Sequence, residues 1–113
     1  MKHVLFVLVA LFCLLMAGCA PREVRYVVGV SQCSDDEWRE QMNKEIRREA
    51  LFYPGVKIDI RTAKDNNAQQ IADIESLIGE GVDQLIGSPN DAEDITPVLE
   101  RAYKKDIHVV LVI

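Results

Sequence analysis

After residue 23 the apolar positions follow two alternating rhythms. Val24-Arg25-Tyr26-Val27-Val28-Gly29-Val30-Ser31 is β-branched and aromatic and predicts a buried strand. Asp35 to about Tyr53 carries Trp38, Met42, Ile46 and Ala50 at four-residue spacing, the stripe of a helix. Ser34 with Glu37 reads as a capping box for its start, and Pro54-Gly55 stops it. Val56-Lys57-Ile58-Asp59-Ile60-Arg61 alternates strictly, as an edge strand with one wetter face does. Asn67 with Gln70 caps the next predicted helix, whose stripe is Ile71, Ile74, Leu77 and Ile78 and whose end falls at Gly79 and Gly81. Val82–Ile86 is a third strand, closed by Gly87-Ser88-Pro89-Asn90-Asp91. A third helix runs to about Lys105. Thr96-Pro97 inside it reads as an N-cap and first-turn proline, with a short turn at Ala92–Ile95 before it. Ile107–Ile113, apolar except for His108, predicts a fourth strand buried on both faces.

Strands alternating with helices spell βαβ units, hence an α/β fold with an open parallel sheet and helices on both faces. A last strand buried on both faces needs cover that these 113 residues do not supply. The expectation is therefore an incomplete lobe, truncated after its fourth strand.

The N-terminus follows another pattern. Met1-Lys2-His3 is a basic start, Val4–Met16 is unbroken apolar sequence, and Ala17-Gly18-Cys19 closes it. That is a signal-peptide pattern, and the run is shorter than the roughly 20 residues a spanning helix needs. Met16-Ala17-Gly18-Cys19 resembles a bacterial lipobox, with Met where Leu is usual, and the resemblance implies lipid on Cys19. A plain signal peptide or an uncleaved anchor is the competing reading. The expected domains are residues 1–18 as signal peptide, 19–23 as tether and 24–113 as the lobe.

Charge changes the picture by exclusion. Loss of Lys2 with the signal makes the formal net charge of −5 one unit more negative. No basic patch of the kind nucleic acid requires is present. Cys19 and Cys33 are the cysteines left after processing, and a lipidated Cys19 leaves Cys33 without a partner.

Open parallel sheets bind ligands at the carboxyl ends of their strands, where the strand order reverses. With the second strand outside the first, the reversal lies between the first and third strands, and the loops Gln32–Asp36 and Ser88–Asp91 meet there. Both open helices, whose free N–H groups point into the crevice. Helix capping accounts for Ser34 and Glu37 but not for Trp38 and Arg39. Trp38 reads equally as the first core residue of its stripe or as a stacking platform for a ligand.

Catalytic alternatives are weak. Cys33 to Arg39 has the C-x5-R spacing of small tyrosine phosphatases. Asp35, Asp36 and Glu37 would repel a phosphate dianion and raise the thiol pKa, and the loop has no glycine. This leaves a cysteine-dependent phosphatase as a remote alternative. No metal ligand set is apparent, and no G-x-G-x-x-G or G-K-[ST] calls for a nucleotide, so no cofactor is expected. His108 reads as a strand residue.

The first strand, the polar loop with its aromatic, and "DNNAQQIADIESLIGEGVDQLIGSPNDAEDITPVLERAYKKDIHVVLVI" together resemble the N-terminal lobe of the class I periplasmic sugar-binding proteins. That family includes ribose- and galactose-binding proteins and the effector domains of LacI-type repressors. The resemblance covers Val24–Ile113 and is most specific from Gly81-Val82-Asp83-Gln84-Leu85-Ile86 through Pro97-Val98-Leu99-Glu100-Arg101-Ala102. It departs at Asp106-Ile107-His108, where the family usually has Gly-Ile-Pro. It implies a sugar held between two closing lobes, with Trp38 stacking on the ring and Asp35, Asp36 and Arg39 bonding its hydroxyls. Gln32, Ser34 and Asn90, on the same two loops, complete the candidate set. "GVSQCSDDEWREQMNKE" looks closer still to the periplasmic sensor domains of hybrid two-component regulators of carbohydrate use. Such a domain works with a kinase module in the same chain, beyond a downstream span. The lipobox points instead to a lipid-anchored receptor serving the permease of a sugar importer. Both imply a non-enzymatic, membrane-tethered periplasmic module.

Overall fold

The computed structural model describes residues 1–16 and 23–113. Its elements are α1 (Lys2–Met16), β1 (Tyr26–Gln32), α2 (Glu37–Ala50), β2 (Val56–Thr62), α3 (Asn67–Gly79), β3 (Gln84–Ser88), α4 (Ala92–Lys104) and β4 (His108–Leu111). The four strands form one parallel sheet in the order β2-β1-β3-β4. The order reverses between β1 and β3, the arrangement that follows when the second strand lies outside the first. No described helix is long and apolar enough to cross a membrane. Cys19, with the expected processing site, lies outside the described residues.

Period-two alternation sends the side chains of β1 to two different layers. A Cβ built on Gly29 would lie 3.1 Å from Leu77 Cδ1 and 3.3 Å from Val82 Cγ1, so glycine lets α3 approach β1 closely. Gly29 and its same-face neighbours Val27 and Ser31 therefore look toward α3. Val28, Val30 and Gln32 look the other way, and the Gln32 amide meets Met42 and Asn43 of α2. The core lies on the α3–α4 side, among Ile74, Leu77, Val82, Leu85, Ile95, Val98, Leu99, Ala102 and Ile107.

Five sequence expectations need correction. Helix α2 starts at Glu37, and its N-cap is Asp36 rather than Ser34. Ser34 is still buried at the strand exit, and its hydroxyl donates to the Asp36 carboxylate instead. Helix α3 is capped one residue earlier than expected, by Asn66, whose side chain accepts from Gln69 N at 2.9 Å. Helix α4 runs unbroken through Pro97, because Asp91 Oδ1 accepts from Glu93 N and Asp94 N and starts the helix five residues earlier than Thr96 would. Thr96 instead turns its hydroxyl back to Ala92 O at 2.7 Å. Strand β3 begins at Gln84, not Val82, since Asp83 enters the sheet through its N–H to Val27 O and its carboxylate accepting from Val27 N. Finally, β4 is an edge strand here. Val109 and Val110 are half-buried and Leu111 is exposed, because no further described strand pairs with its outer edge.

Candidate ligand-binding site

The carboxyl ends of β1, β2 and β3 are tied through one residue. Cys33 N donates to Ser88 O at 3.1 Å, and Cys33 O accepts from Asp65 N at 2.7 Å. The residue is only 2% exposed. Cys33 is thus a wedge between loops, and a thiol in that position is out of reach of a phosphate dianion.

Gln70, in the first turn of α3, reinforces the switch point from beneath. It is fully buried, and its Nε2 donates to Ser88 O at 3.0 Å and to Ser31 Oγ at 3.3 Å. One side chain thereby clamps β1 to β3 where their order reverses. Its Oε1 has no partner among the described residues. The sequence reading took Gln70 for a capping residue. A wholly polar side chain inside an apolar stripe was the available signal.

Above this clamp stands the start of α2. Asp36 Oδ1 accepts from Arg39 N at 3.0 Å, and Asp36 Oδ2 pairs with the Arg39 guanidinium and the Ser34 hydroxyl. The Ser34 hydroxyl first, and then the Arg39 amide and guanidinium, pull the Asp36 carboxyl down to about 2. Asp36 is an anion at any neutral pH, held in one orientation. The Arg39 guanidinium lies 5.7 Å from the centroid of the Trp38 ring, within cation–π range. Trp38 is 59% exposed, so the indole is not part of this chain's core. Met42, Ile46 and Ala50, the rest of its stripe, are half-buried.

The second loop contributes Asn90, which is exposed and donates through Nδ2 to Asn67 Oδ1 at 3.3 Å. Asn67 in turn donates to Asp94 Oδ2 at 2.6 Å. Asn67 and Asp94 join the first turns of α3 and α4 and were not foreseen as site residues. Because Asn66 takes the cap, the second asparagine of the pair is free to bond outward.

The candidate residues therefore separate. Asp35, Asp36, Trp38 and Asn90 are exposed along the carboxyl edge, with Arg39 half-buried beside them. Ser34 is nearly buried and orients Asp36. Gln32 has to be reassigned. It is fully buried under α2, where Nε2 donates to Asn43 Oδ1 at 2.7 Å, and it does not reach the rim. Strand alternation explains this: Gln32 shares the face of Val28 and Val30.

A parallel sheet reversing at β1 and β3, with an exposed indole and fixed charges at that reversal, has the kind of edge at which open α/β sheets hold ligands. A family model described as periplasmic binding protein domain matches residues 27–112, and the chain belongs to that family. Among solved structures it is similar to the fructose-binding periplasmic domain of a hybrid two-component system, at 52% identity and TM-score 0.75 over 77% of this chain and 29% of that one. A solute-binding protein of an ABC transporter from Bacillus halodurans C-125, with bound myo-inositol, matches at 25% identity and TM-score 0.72, over 81% of this chain and 32% of that one. The ribose import binding protein of Bacillus subtilis (strain 168) is 34% identical over 71 residues, 63% of this chain and 23% of the relative. The chain thus spans under a third of the length of these relatives.

Proposed function

We propose that this chain forms the first lobe of a periplasmic sugar-recognition domain, and that it serves as the input of a hybrid two-component sensor. The observation that carries the reading is the exposed Trp38 indole beside the Asp36–Arg39 pair at the switch point. A sugar offers an apolar C–H face that suits an indole and vicinal hydroxyls that suit a fixed carboxylate and a guanidinium. The other lobe of the parent protein would close over the sugar from above. The 52% identity with a fructose-binding sensor domain favours the sensor role and makes fructose the first ligand to try.

A second reading, a lipid-anchored receptor for a sugar importer, is favoured by the lipobox-like Met16-Ala17-Gly18-Cys19 and by the similarity to a ribose import protein. In either role the module binds without catalysing, and it sits in the periplasm behind a signal segment spanning residues 1–18. The sequence downstream of Ile113 separates the two. A membrane span followed by histidine-kinase motifs supports the sensor, and a chain ending after the second lobe supports the receptor. Titration calorimetry of the full-length protein with fructose, ribose and xylose tests sugar recognition itself. Saturable heat with at least one of them is expected, and none with any would refute it.

A further inference from the structure

We propose that the turn Leu51-Phe52-Tyr53, at the edge of the sheet opposite the ligand site, rests on the lipid bilayer to which the N-terminal segment tethers the lobe. The proposal relies on membrane attachment through Cys19 and goes beyond it by assigning a docking surface. Leu51, Phe52 and Tyr53 are 81%, 73% and 56% exposed, three consecutive large side chains left in water. They are not loosely hung. Leu51 N, Phe52 N and Tyr53 N donate to Arg48 O, Glu49 O and Ala50 O at 3.0–3.2 Å, so the end of α2 continues into a fixed turn that holds them outward. Contiguous exposed apolar side chains of this kind mark an interaction surface.

The tether identifies what covers it. Arg25 N and Tyr26 N both donate to Gly55 O, at 2.8 and 3.0 Å, so the chain enters the sheet directly beside this turn. Arg25 is six residues along the chain from Cys19, a leash of at most about 20 Å even when fully extended. A lipid on Cys19 therefore keeps this edge of the sheet at the bilayer, with the ligand-binding edge a strand length further out. The chemistry suits an interface. Tyr53 and Phe52 supply aromatic rings, and Arg25, Arg47 and Arg48 stand close by to meet anionic headgroups. Glu23, Glu45 and Glu49 lie among them, and Glu45 pairs with Arg48. The apolar turn rather than net charge thus supplies the attraction.

The test uses the full-length lipidated protein in vesicles of phosphatidylethanolamine and phosphatidylglycerol. Phe52→Cys and, as reference at the far edge, Glu93→Cys are each labelled with an environment-sensitive fluorophore, and lipids carrying a nitroxide near the headgroup are added. The expected result is a blue shift and loss of fluorescence at position 52, with neither at 93. Protein that washes off the vesicles would overturn the attachment and the docking together. Protein that stays bound, with position 52 unquenched, overturns the docking alone. Shielding of position 52 that depends on protein concentration and not on the nitroxide lipid would assign the turn to a second copy and equally overturn the proposal.

Discussion

On one side of the sheet α3 and α4 contribute buried Gln70, Ile74, Leu77, Ile95, Val98, Leu99 and Ala102, whereas on the other α2 has no buried residue of its own. Both sides carry amphipathic stripes at helical spacing, so periodicity alone does not separate them. The difference lies in what the stripe touches. Leu77 closes onto Gly29 and Val82, where the missing glycine side chain lets helix and strand meet. The α2 stripe begins instead with an exposed indole and continues with half-buried Met42 and Ile46. One side holds the lobe together, while the other places charged and aromatic groups at its edge.

That contrast can be broken by mutation. The largest effect is expected for Leu77→Ala in the full-length protein. Removing a fully buried leucine should cost about 2–5 kcal/mol of unfolding free energy in a denaturant titration. Ile46→Ala, on the thin side, should cost only about 1 kcal/mol, since that side chain is already partly in water. Equal losses at the two positions would mean that α2 packs as firmly as α3.

The clamp at the switch point sharpens the same comparison at smaller scale. Gln70→Leu should cost about 1 kcal/mol, because hydrogen bonds to Ser31 and Ser88 are lost while an unpartnered buried oxygen is removed as well. Its affinity for sugar should fall by more than that of Ile46→Ala, since Gln70 fixes the spacing of the two binding loops. Calorimetry on both variants decides this, and equal affinities would reduce Gln70 to an ordinary core residue.

The smallest expected effect is a pH dependence. The Asp36 carboxyl titrates near 2 in the fold against an ordinary value of 3.8. A depressed acid contributes stability that is fully present above the unfolded value and is lost as pH falls from there through the folded one. Between about pH 4 and pH 2 the parent should therefore lose more stability than Asp36→Asn, which retains a capping side chain but no titrating group. Parallel melting curves for the two across that window would show that Asp36 is not held as described.

Most of the fold was legible in the sequence, because apolar periodicity reports burial and burial defines the sheet and its helices. The strand order did not follow from it: the second strand was placed outside the first as a condition, and the pairing of β1 with both β2 and β3 meets that condition. Nor did the cap positions. Ser34, Asp35 and Asp36 are all competent caps, and which one serves depends on where the strand releases the chain, a tertiary fact fixed by the bonds of Cys33 to Ser88 and Asp65. The same competition between Asn66 and Asn67 concealed the network from Asn67 to Asn90 and Asp94. Thr96-Pro97 carried the signal of a helix start, but Asp91 lay upstream with a better-placed carboxylate. Gln32 looked like a rim residue by its place in the loop, and a one-residue step along β1 turned it under α2 instead.

If the start of α2 is a ligand platform rather than part of the core, Trp38 acts in binding and not in folding. This is tested most directly by Trp38→Ala in the full-length protein, measured by titration calorimetry with fructose and by thermal melting on the same samples. Affinity should weaken by about 1–3 kcal/mol, the loss of a stacking surface and its burial. The melting temperature should be almost unchanged, since the indole is mostly in water without the ligand. A lowered melting temperature with affinity intact would contradict this and return Trp38 to the core stripe.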